Sequence, residues 1–315
     1  MAPDHLPGAP TGRVSPAASG LGSLALVGLG LIWGYSWVVM KVGLRYSQPF
    51  TFAALRTFLA ALILLVLLSL LRRPMRPKAI GLTCLIGLTQ TTCSIGLAMW
   101  ALEIGGVGRT AVLVYTMPFW LLVMVWLFRG ERPQGAQWLA AVLAFGGLLL
   151  TVEPWRLHSV LSSLMALGAS LSWAISAILV RALDRRNDVD LLSLTAWQTM
   201  LGSIPLVAIA LATSTGPPVW SSSFIWALSY NVVIATALAG LLWFFSLRVL
   251  SANHAGFGIL LVPVVGLSAA WIQLGERPSL DEAVGIALIM TALCLITVRE
   301  ARVGRRATLN GAPLL

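Results

Sequence analysis

A single arginine lies within an apolar stretch that is long enough to cross a bilayer. Arg56 follows the start of the segment 50–71 by about two helical turns. An ionisable side chain inside a bilayer costs about 2.5–3.5 kcal/mol on insertion scales. Two interpretations stay open. The guanidinium attracts the carboxylate of a solute in a central cavity, or it reaches the outer interface and bonds helix-end carbonyls as a strut.

Aromatic and amide side chains inside apolar segments are the other candidates for a binding site. Aromatic rings with a polar handle suit a cavity for amphipathic organic solutes. Amides in lipid need a partner, which is either a solute or another helix. Each aromatic residue could instead serve packing or face lipid. The predicted cavity residues are Trp33, Arg56, Gln90, Trp100, Tyr115, Trp173, Gln198 and Trp243.

All eleven acidic residues lie in loops, in tails or at the ends of apolar segments. A buried carboxylate is the usual proton relay or cation ligand in membrane pumps, so a relay at the midplane is not expected. The sequence has no HExxH or CxxC motif and no Ser-His-Asp set at a plausible depth. We therefore predict no catalytic residue, no metal and no cofactor, and a protein that is not an enzyme.

The composition defines the elements that must hold these residues. Hydrophobic residues make up 58% of the chain and charged residues 10%, against about 25% charged in soluble domains. A chain so poor in charge cannot cover a globule with polar surface, so we predict a polytopic membrane protein. The net charge of +10 lies mostly in short loops and tails, so the expected partner is a lipid bilayer and not nucleic acid.

Ten segments have the roughly 20 mostly apolar residues that a spanning helix needs. They cover 21–44, 50–71, 78–101, 107–128, 135–152, 159–182, 190–212, 224–248, 254–273 and 280–298. With a cytoplasmic N-terminus, inner segments hold fifteen Lys and Arg residues and outer loops five, a bias that places both termini in the cytoplasm. The five outer residues are Lys41, Arg45, Arg109, Arg156 and Arg277.

One tetrapeptide occurs twice, 145 residues apart. Gly-Glu-Arg-Pro spans 130–133 and again 275–278, and Pro118 matches Pro263 at the same spacing. We therefore predict two repeats of five spans, 21–152 and 159–298, between a disordered cytoplasmic tail at 1–20 and a basic cytoplasmic tail at 299–315. Because five is odd, the second repeat must be inverted. The two prolines are predicted to be hinges or static kinks.

Several motifs resemble one transporter family. They are Leu31–Ser36, Pro49–Arg56, Ala111–Trp120, and Leu261–Gly266 followed by Gly275 and Glu276. With them the chain resembles the drug/metabolite transporter superfamily, in its EamA branch. The resemblance implies two tandem EamA-like units over 21–298 that move amino acids, sugars or other metabolites. The second unit has Gln198 where the first has Arg56, which confines any charge role to the first unit.

The expected function is that of a secondary transporter with an alternating-access cavity between inverted halves. Export of small organic metabolites such as amino acids follows from the resemblance, as does a bacterial inner membrane location. Two alternatives stay open: a non-transporting polytopic membrane partner protein, and an integral-membrane enzyme that modifies lipids. The sequence also leaves open a homodimer, the direction of transport and the coupling ion.

Overall fold

The computed structural model describes residues 16–130, 135–153, 157–184, 189–240, 242, 246 and 252–309. This part of the chain is helical and contains no strand. The helices are α1 Pro16–Leu44, α2 Pro49–Leu70, α3 Ile80–Ile104, α4 Val107–Val114, α5 Met117–Arg129, α6 Ala136–Val152, α7 Leu157–Asp184, α8 Leu191–Thr213, α9 Ser222–Leu238, α10 Ala252–Leu274 and α11 Leu280–Leu309.

Seven spans within the described residues are long and apolar enough to cross a membrane. They lie in α1, α2, α3, α4 with α5, α7, α8 and α11. Shorter apolar helices, Ala136–Val152, Ser222–Leu238 and Leu260–Leu274, occupy the other three predicted spans. The predicted class of all-α membrane protein therefore holds, while the count of ten transmembrane helices stays a prediction.

The helices at the two ends of the chain are longer than the predicted spans. Helix α1 begins at Pro16, inside the segment 1–20 that was predicted to be disordered, and α11 continues to Leu309 beyond the predicted span end at 298. A helix does not have to stop at the membrane surface, so these lengths do not change where the chain leaves the bilayer.

The two matched prolines have different settings. Pro118 lies in the first turn of α5, after a break at Tyr115 and Thr116 that divides the fourth predicted span into α4 and α5. A proline is well tolerated there because its missing N–H has no intrahelical acceptor. Pro263 lies inside the uninterrupted helix α10. The repeat predicts equivalent kinks, whereas the structure breaks the helix only at the first position.

Two helices contain a stretch of wide, π-helical turns. The stretches are Leu88–Ile95 in α3 and Tyr230–Leu238 in α9, and they begin 142 residues apart. Such turns change which side chains share a helix face and are often found at functional sites. The first stretch carries the predicted site residue Gln90.

Helices α2 and α8 pack along each other and run antiparallel. At one end Arg73 pairs with Asp190 at 3.2 Å, and at the other the Gln48 amide and the Thr215 hydroxyl share a hydrogen bond. Each helix therefore begins where the other one ends.

Helices α6 and α11 form a second antiparallel pair. Gly147 packs directly on Gly285, where a Cβ on either residue would come within 2.7 Å of the other's carbonyl oxygen. Glu153, after the end of α6, accepts a hydrogen bond from Ser279, just before α11 begins. Small residues permit this close approach of two helix backbones.

Candidate functional site

One face of α1 carries large side chains into the helix bundle. Trp33, Trp37 and Met40 are spaced four and three residues apart, which places them on one side of a helix. Trp37 and Met40 are buried. The Trp33 indole N–H donates to the carbonyl of Ala235 in α9 at 2.9 Å. Trp33 is therefore held at the contact between α1 and α9.

Tyr115 lies at the break between α4 and α5, opposite this face of α1. Its hydroxyl lies beside the side chain of Trp37. Its ring meets the ring of Trp173 from α7 edge to face, with the centroids 5.5 Å apart. Such pairs are favoured over face-to-face stacking because of the ring quadrupoles. Three elements that are distant in sequence thus bring their aromatic side chains together.

Gln90 joins this group from α3. Its side-chain oxygen accepts a hydrogen bond from the hydroxyl of Ser176 in α7. Ser176 lies one turn after Trp173 and also donates to the Trp173 carbonyl at 2.7 Å. Gln90 therefore finds its partner on another helix, next to the pair of aromatic rings.

Arg56 meets the same face of α1 through Met40. It is half-buried in α2, and its guanidinium contacts the thioether of Met40. Because Met40 is buried, the guanidinium points into the helix bundle rather than toward a membrane interface. Among the described residues no carboxylate lies within ion-pair distance of it.

A thioether is only a weak acceptor, so the donors of Arg56 are poorly used by the protein itself. Bonds to helix-end carbonyls, which a structural strut would need, do not occur between Arg56 and the described residues. This geometry favours the interpretation in which a solute carboxylate binds there. The Arg56 guanidinium, with most of its donors available, is the main chemical feature of the interior.

The remaining predicted residues lie apart from this group or outside the described part of the chain. Trp100 is 36% exposed and packs on Phe50, with ring centroids 5.8 Å apart. Gln198 lies in α8, and its side-chain oxygen is buried without a hydrogen-bond partner. Trp243 falls outside the described residues.

Trp37 lies beside Tyr115 but was not among the predicted cavity residues. Its signal was present: Trp37 follows Trp33 by four residues and so shares its helix face. Met40 extends the same stripe by one more turn. These two residues matter because they form the wall against which Tyr115 and Arg56 lie.

A second polar region lies at the helix ends near the second Gly-Glu-Arg-Pro motif. Arg109 donates to Glu153 at 3.0 Å and twice to Glu282, at 2.9 and 3.2 Å. Glu153 is 1% exposed and also accepts from Ser279 at 2.7 Å. We call Arg109, Glu153, Ser279 and Glu282 the charged cluster. Arg109 was predicted to lie in a loop, but it belongs to the first turn of α4.

Neighbouring helix ends are fixed in a similar way. Glu276 of the repeated motif accepts a hydrogen bond from the Val107 N–H at the start of α4, at 2.7 Å. An acidic group is favourable there because the helix dipole is positive at its N-terminus. Lys41 donates to the carbonyls of Leu102 and Gly105 at the end of α3, at 2.6 and 2.8 Å.

Arg109, Glu153, Glu276 and Glu282 line an open pocket of about 450 Å³. Its lining is mixed in charge, and every carboxylate of the charged cluster already has a protein partner. No group of three His, Cys, Asp or Glu side chains comes together as metal ligands within the described residues. The pocket lining consists of Ile104, Gly105, Gly106, Gly108, Arg109, Glu153, Ser162, Leu267, Glu276, Arg277, Pro278 and Glu282.

Comparison with known proteins gives a consistent result. The sequence model of the EamA-like transporter family matches residues 20–153 and 160–298. The "Uncharacterized transporter YoaV" of Bacillus subtilis is 27% identical over 286 residues, which cover 89% of this chain and 97% of that protein. The "Probable amino-acid metabolite efflux pump" of Salmonella typhimurium is 29% identical over 303 residues, covering 92% and 98%.

Two further similarities extend the comparison. The "Riboflavin transporter" of Rhizobium johnstonii is 26% identical over 218 residues, covering 68% of this chain and 70% of that protein. A solved crystal structure superposes with a TM-score of 0.60 at 16% identity, covering 90% of this chain and 98% of the other. At that identity the likeness shows the fold alone.

Proposed function

The chain belongs to the EamA-like transporter family, and from that premise we propose that it exports small organic metabolites such as amino acids by alternating access between two inverted repeats. It is an integral membrane transporter, and its relatives are named as transporters or efflux pumps rather than enzymes. The lipid-modifying enzyme and the non-transporting partner are therefore not adopted.

The directions of matched helices support the inverted arrangement. Helices α2 and α8 are the second helices of the two predicted repeats, and they run antiparallel between the Arg73–Asp190 and Gln48–Thr215 contacts. Helices α6 and α11, the fifth of each repeat, run antiparallel as well. Equivalent helices of a parallel repeat would run in the same direction. We propose ten crossings and, on the charge bias of the loops, cytoplasmic termini. A bacterial inner membrane location is proposed on the similarity to bacterial transporters.

Arg56 is the observation that carries the substrate class. Its guanidinium lies inside the bundle, contacts a thioether and has no carboxylate partner among the described residues. A guanidinium in a water-poor site binds a carboxylate strongly and with defined geometry. The nearby rings of Trp37, Tyr115 and Trp173 would receive an apolar or aromatic side chain.

The names of two relatives bear on the substrate. An amino-acid metabolite efflux pump handles solutes with a carboxylate, which fits Arg56. A riboflavin transporter handles a large aromatic ring, which fits the aromatic group alone. The amino-acid class is preferred because only a carboxylate uses the guanidinium.

The break at Tyr115 and Thr116 offers a place for movement. The Thr116 hydroxyl donates to the Leu113 carbonyl at 2.6 Å and lies 3.1 Å from the Ser170 hydroxyl. These bonds replace the helical bonds that are lost at the break. We assign the first hinge to this break, with Pro118 at the start of the following helix, and the second to Pro263.

Liposome flux tests this function. Purified protein is reconstituted with labelled neutral and aromatic amino acids, amines, sugars and riboflavin, and efflux is followed over time. We expect amino-acid flux above that of empty liposomes. Arg56→Gln should lower it at least tenfold while the protein elutes as a folded species in detergent. Arg73→Gln, at an exposed arginine, is the matched control and should keep the wild-type rate.

Two results would argue against the proposal. Flux of none of the amino acids by the wild-type protein would remove the substrate class. Equal amino-acid flux by Arg56→Gln and wild type would remove the carboxylate site, because a neutral amide cannot replace the charge of a guanidinium. Arg56→Lys refines the second test: it keeps the charge but loses the planar fork, so an intermediate rate is expected.

A further inference from the structure

Gln198 carries a buried hydrogen-bond acceptor that the protein leaves unused. Its Oε1 atom has no hydrogen-bond partner among the described residues, although the residue lies in the apolar helix α8. Burial of an acceptor without a donor is unfavourable, and within a bilayer no bulk water relieves it. A ligand that carries a hydrogen-bond donor would satisfy this buried acceptor.

The other unpaired buried oxygens of the described residues are poorer candidates. Three are threonine hydroxyls, which can turn toward a carbonyl of their own helix. The fourth belongs to an asparagine whose whole side chain is buried and whose amide nitrogen already donates to a carbonyl of its own helix. Gln198 is half-buried. The four are Thr51, Thr110, Thr151 and Asn231.

The position of Gln198 is the counterpart of Arg56. The two residues are 142 positions apart, the same offset that relates Ala54 to Ala196. Each lies seven residues after the first residue of its helix, Pro49 in α2 and Leu191 in α8. Because these helices are antiparallel, the two side chains begin about 10 Å from opposite ends of the helix pair. One is a guanidinium and the other a neutral amide.

The backbone at Gln198 packs on the helix that carries Gln90. A Cβ on Gly87 of α3 would come within 2.5 Å of the Gln198 carbonyl oxygen, so the two backbones touch. One turn later α3 carries Gln90, which is bonded to Ser176 beside Trp173. The Gln198 backbone therefore lies about one turn of α3 away from Gln90 and its hydrogen bond beside Trp173.

We propose that Gln198 is a specificity residue of the transport path, whose Oε1 accepts a hydrogen bond from the ammonium group of an amino acid. The assignment rests on the proposed function, since it needs a carboxylate solute that also carries a donor. On helices of this length Arg56 and Gln198 lie about 13 Å apart along the pair, and we assign them to two positions rather than to one binding subsite. They therefore act as successive positions on one path.

An amide suits this role because it can discriminate between solutes without binding them so tightly that their release is slow. It offers an acceptor but no fixed charge, so an ammonium group is recognised and released. A site built to bond a donor discriminates strongly against an analogue that lacks it, because the acceptor is then left unpaired. The structure thus predicts that amino acids are transported in preference to the corresponding 2-oxo acids, which keep the carboxylate and lose the ammonium group.

The test compares leucine, its 2-hydroxy acid and its 2-oxo acid as labelled solutes in liposomes. Wild-type protein should move leucine at least tenfold faster than the 2-oxo acid. Gln198→Met keeps the side-chain length and removes the strong acceptor, so it should lower leucine flux at least tenfold and leave the 2-oxo acid within twofold of wild type. Gln48→Met, which changes a glutamine at the opposite end of the helix pair, is the control and should alter neither rate.

The three solutes separate the outcomes. Equal loss for all three in Gln198→Met would mean a structural role and overturn the assignment. So would unchanged leucine flux. The 2-hydroxy acid keeps one hydroxyl donor, so its flux should lie between those of leucine and the 2-oxo acid, and wild-type preference for it over leucine would overturn the choice of the ammonium group as the donor. If Gln198→Met does not fold, Gln198→Glu keeps the acceptor oxygens and must retain leucine flux. Absence of leucine flux in wild-type protein would instead remove the proposed function itself.

Discussion

Two arginines that lie within helices, Arg109 in α4 and Arg56 in α2, have opposite surroundings. Arg109 makes three hydrogen bonds to two carboxylates, and its partner Glu153 is 1% exposed. Arg56 contacts only a thioether among the described residues. Both side chains are largely withdrawn from water. The charge of Arg109 is paired with Glu153 and Glu282, whereas Arg56 has no ion pair among the described residues.

The contrast separates groups that hold the fold from groups that are available to a ligand. Arg109 connects α4 to the end of α6 and the start of α11, and thereby joins the two predicted repeats at one face of the protein. Among the described residues, the hydrogen-bond contact of the Arg56 guanidinium joins α2 only to the Met40 side chain of α1. Substitution at the first should therefore affect stability, and substitution at the second should affect transport.

The largest stability effect is expected for Arg109→Leu. Loss of the guanidinium removes the positive charge that pairs with the buried Glu153 carboxylate, and removal of one partner from a buried pair costs about 3–5 kcal/mol. Unfolding in mixed detergent micelles should show a decrease of this size in the free energy of unfolding. Glu153→Gln in the Arg109→Leu background should restore part of it, because the unpaired charge is then removed.

Arg56→Leu is the counterpart that decides the comparison. It removes a buried charge that has no carboxylate partner in the described residues, so the free energy of unfolding should stay unchanged or increase. A loss for Arg56→Leu as large as that for Arg109→Leu would show that Arg56 is a structural strut, and the carboxylate site would then be abandoned.

The fold was largely predictable because it depends on composition. Apolar segments of sufficient length identify membrane helices, and each predicted span holds a helix. The break at Tyr115 was not predictable from Pro118, because the matched Pro263 lies in a continuous helix. Proline makes a break tolerable, but tertiary contacts such as Thr116 with Ser170 decide whether it occurs.

The site was predictable in residue types and not in contacts. Tyr115 and Trp173 were both expected to line a cavity, and the structure places their rings together. That they meet each other follows from packing between helices, which the periodicity of one helix does not reveal. The charged cluster was missed for the same reason: Arg109 is 44 residues from Glu153 and 173 from Glu282.

A smaller effect is expected where matched serines of the two repeats differ. Ser36 and Ser176 each donate to the tryptophan carbonyl three residues earlier, at 2.6 and 2.7 Å. Ser176 also donates to Gln90, whereas Ser36 makes no second side-chain hydrogen bond among the described residues. Only the bond to Gln90 therefore distinguishes the two serines.

Ser176→Ala should accordingly cost more stability than Ser36→Ala. Interhelical hydrogen bonds in membrane proteins contribute about 0.6 kcal/mol on average and up to about 1.7 kcal/mol. We expect a loss within this range for Ser176→Ala and none that is measurable for Ser36→Ala, by the same micelle unfolding assay. Equal losses would mean that the shared bond to the helix backbone, and not the bond to Gln90, carries the effect.

The smallest effect is expected at a third arginine, which is paired but exposed. The side chains of Arg73 and Asp190 are 42% and 20% exposed, with a single contact at 3.2 Å. Exposed ion pairs contribute about 0–1 kcal/mol, and salt weakens them because the screening length falls to about 3 Å at 1 M. Arg73→Ala should therefore cost at most about 1 kcal/mol in dilute buffer and nothing measurable at high salt. Asp190 is unsuitable for this test, since it also accepts from the Ser193 N–H at the start of α8. A loss at Arg73 as large as at Arg109, and insensitive to salt, would mean that burial is not what separates the arginines of this protein.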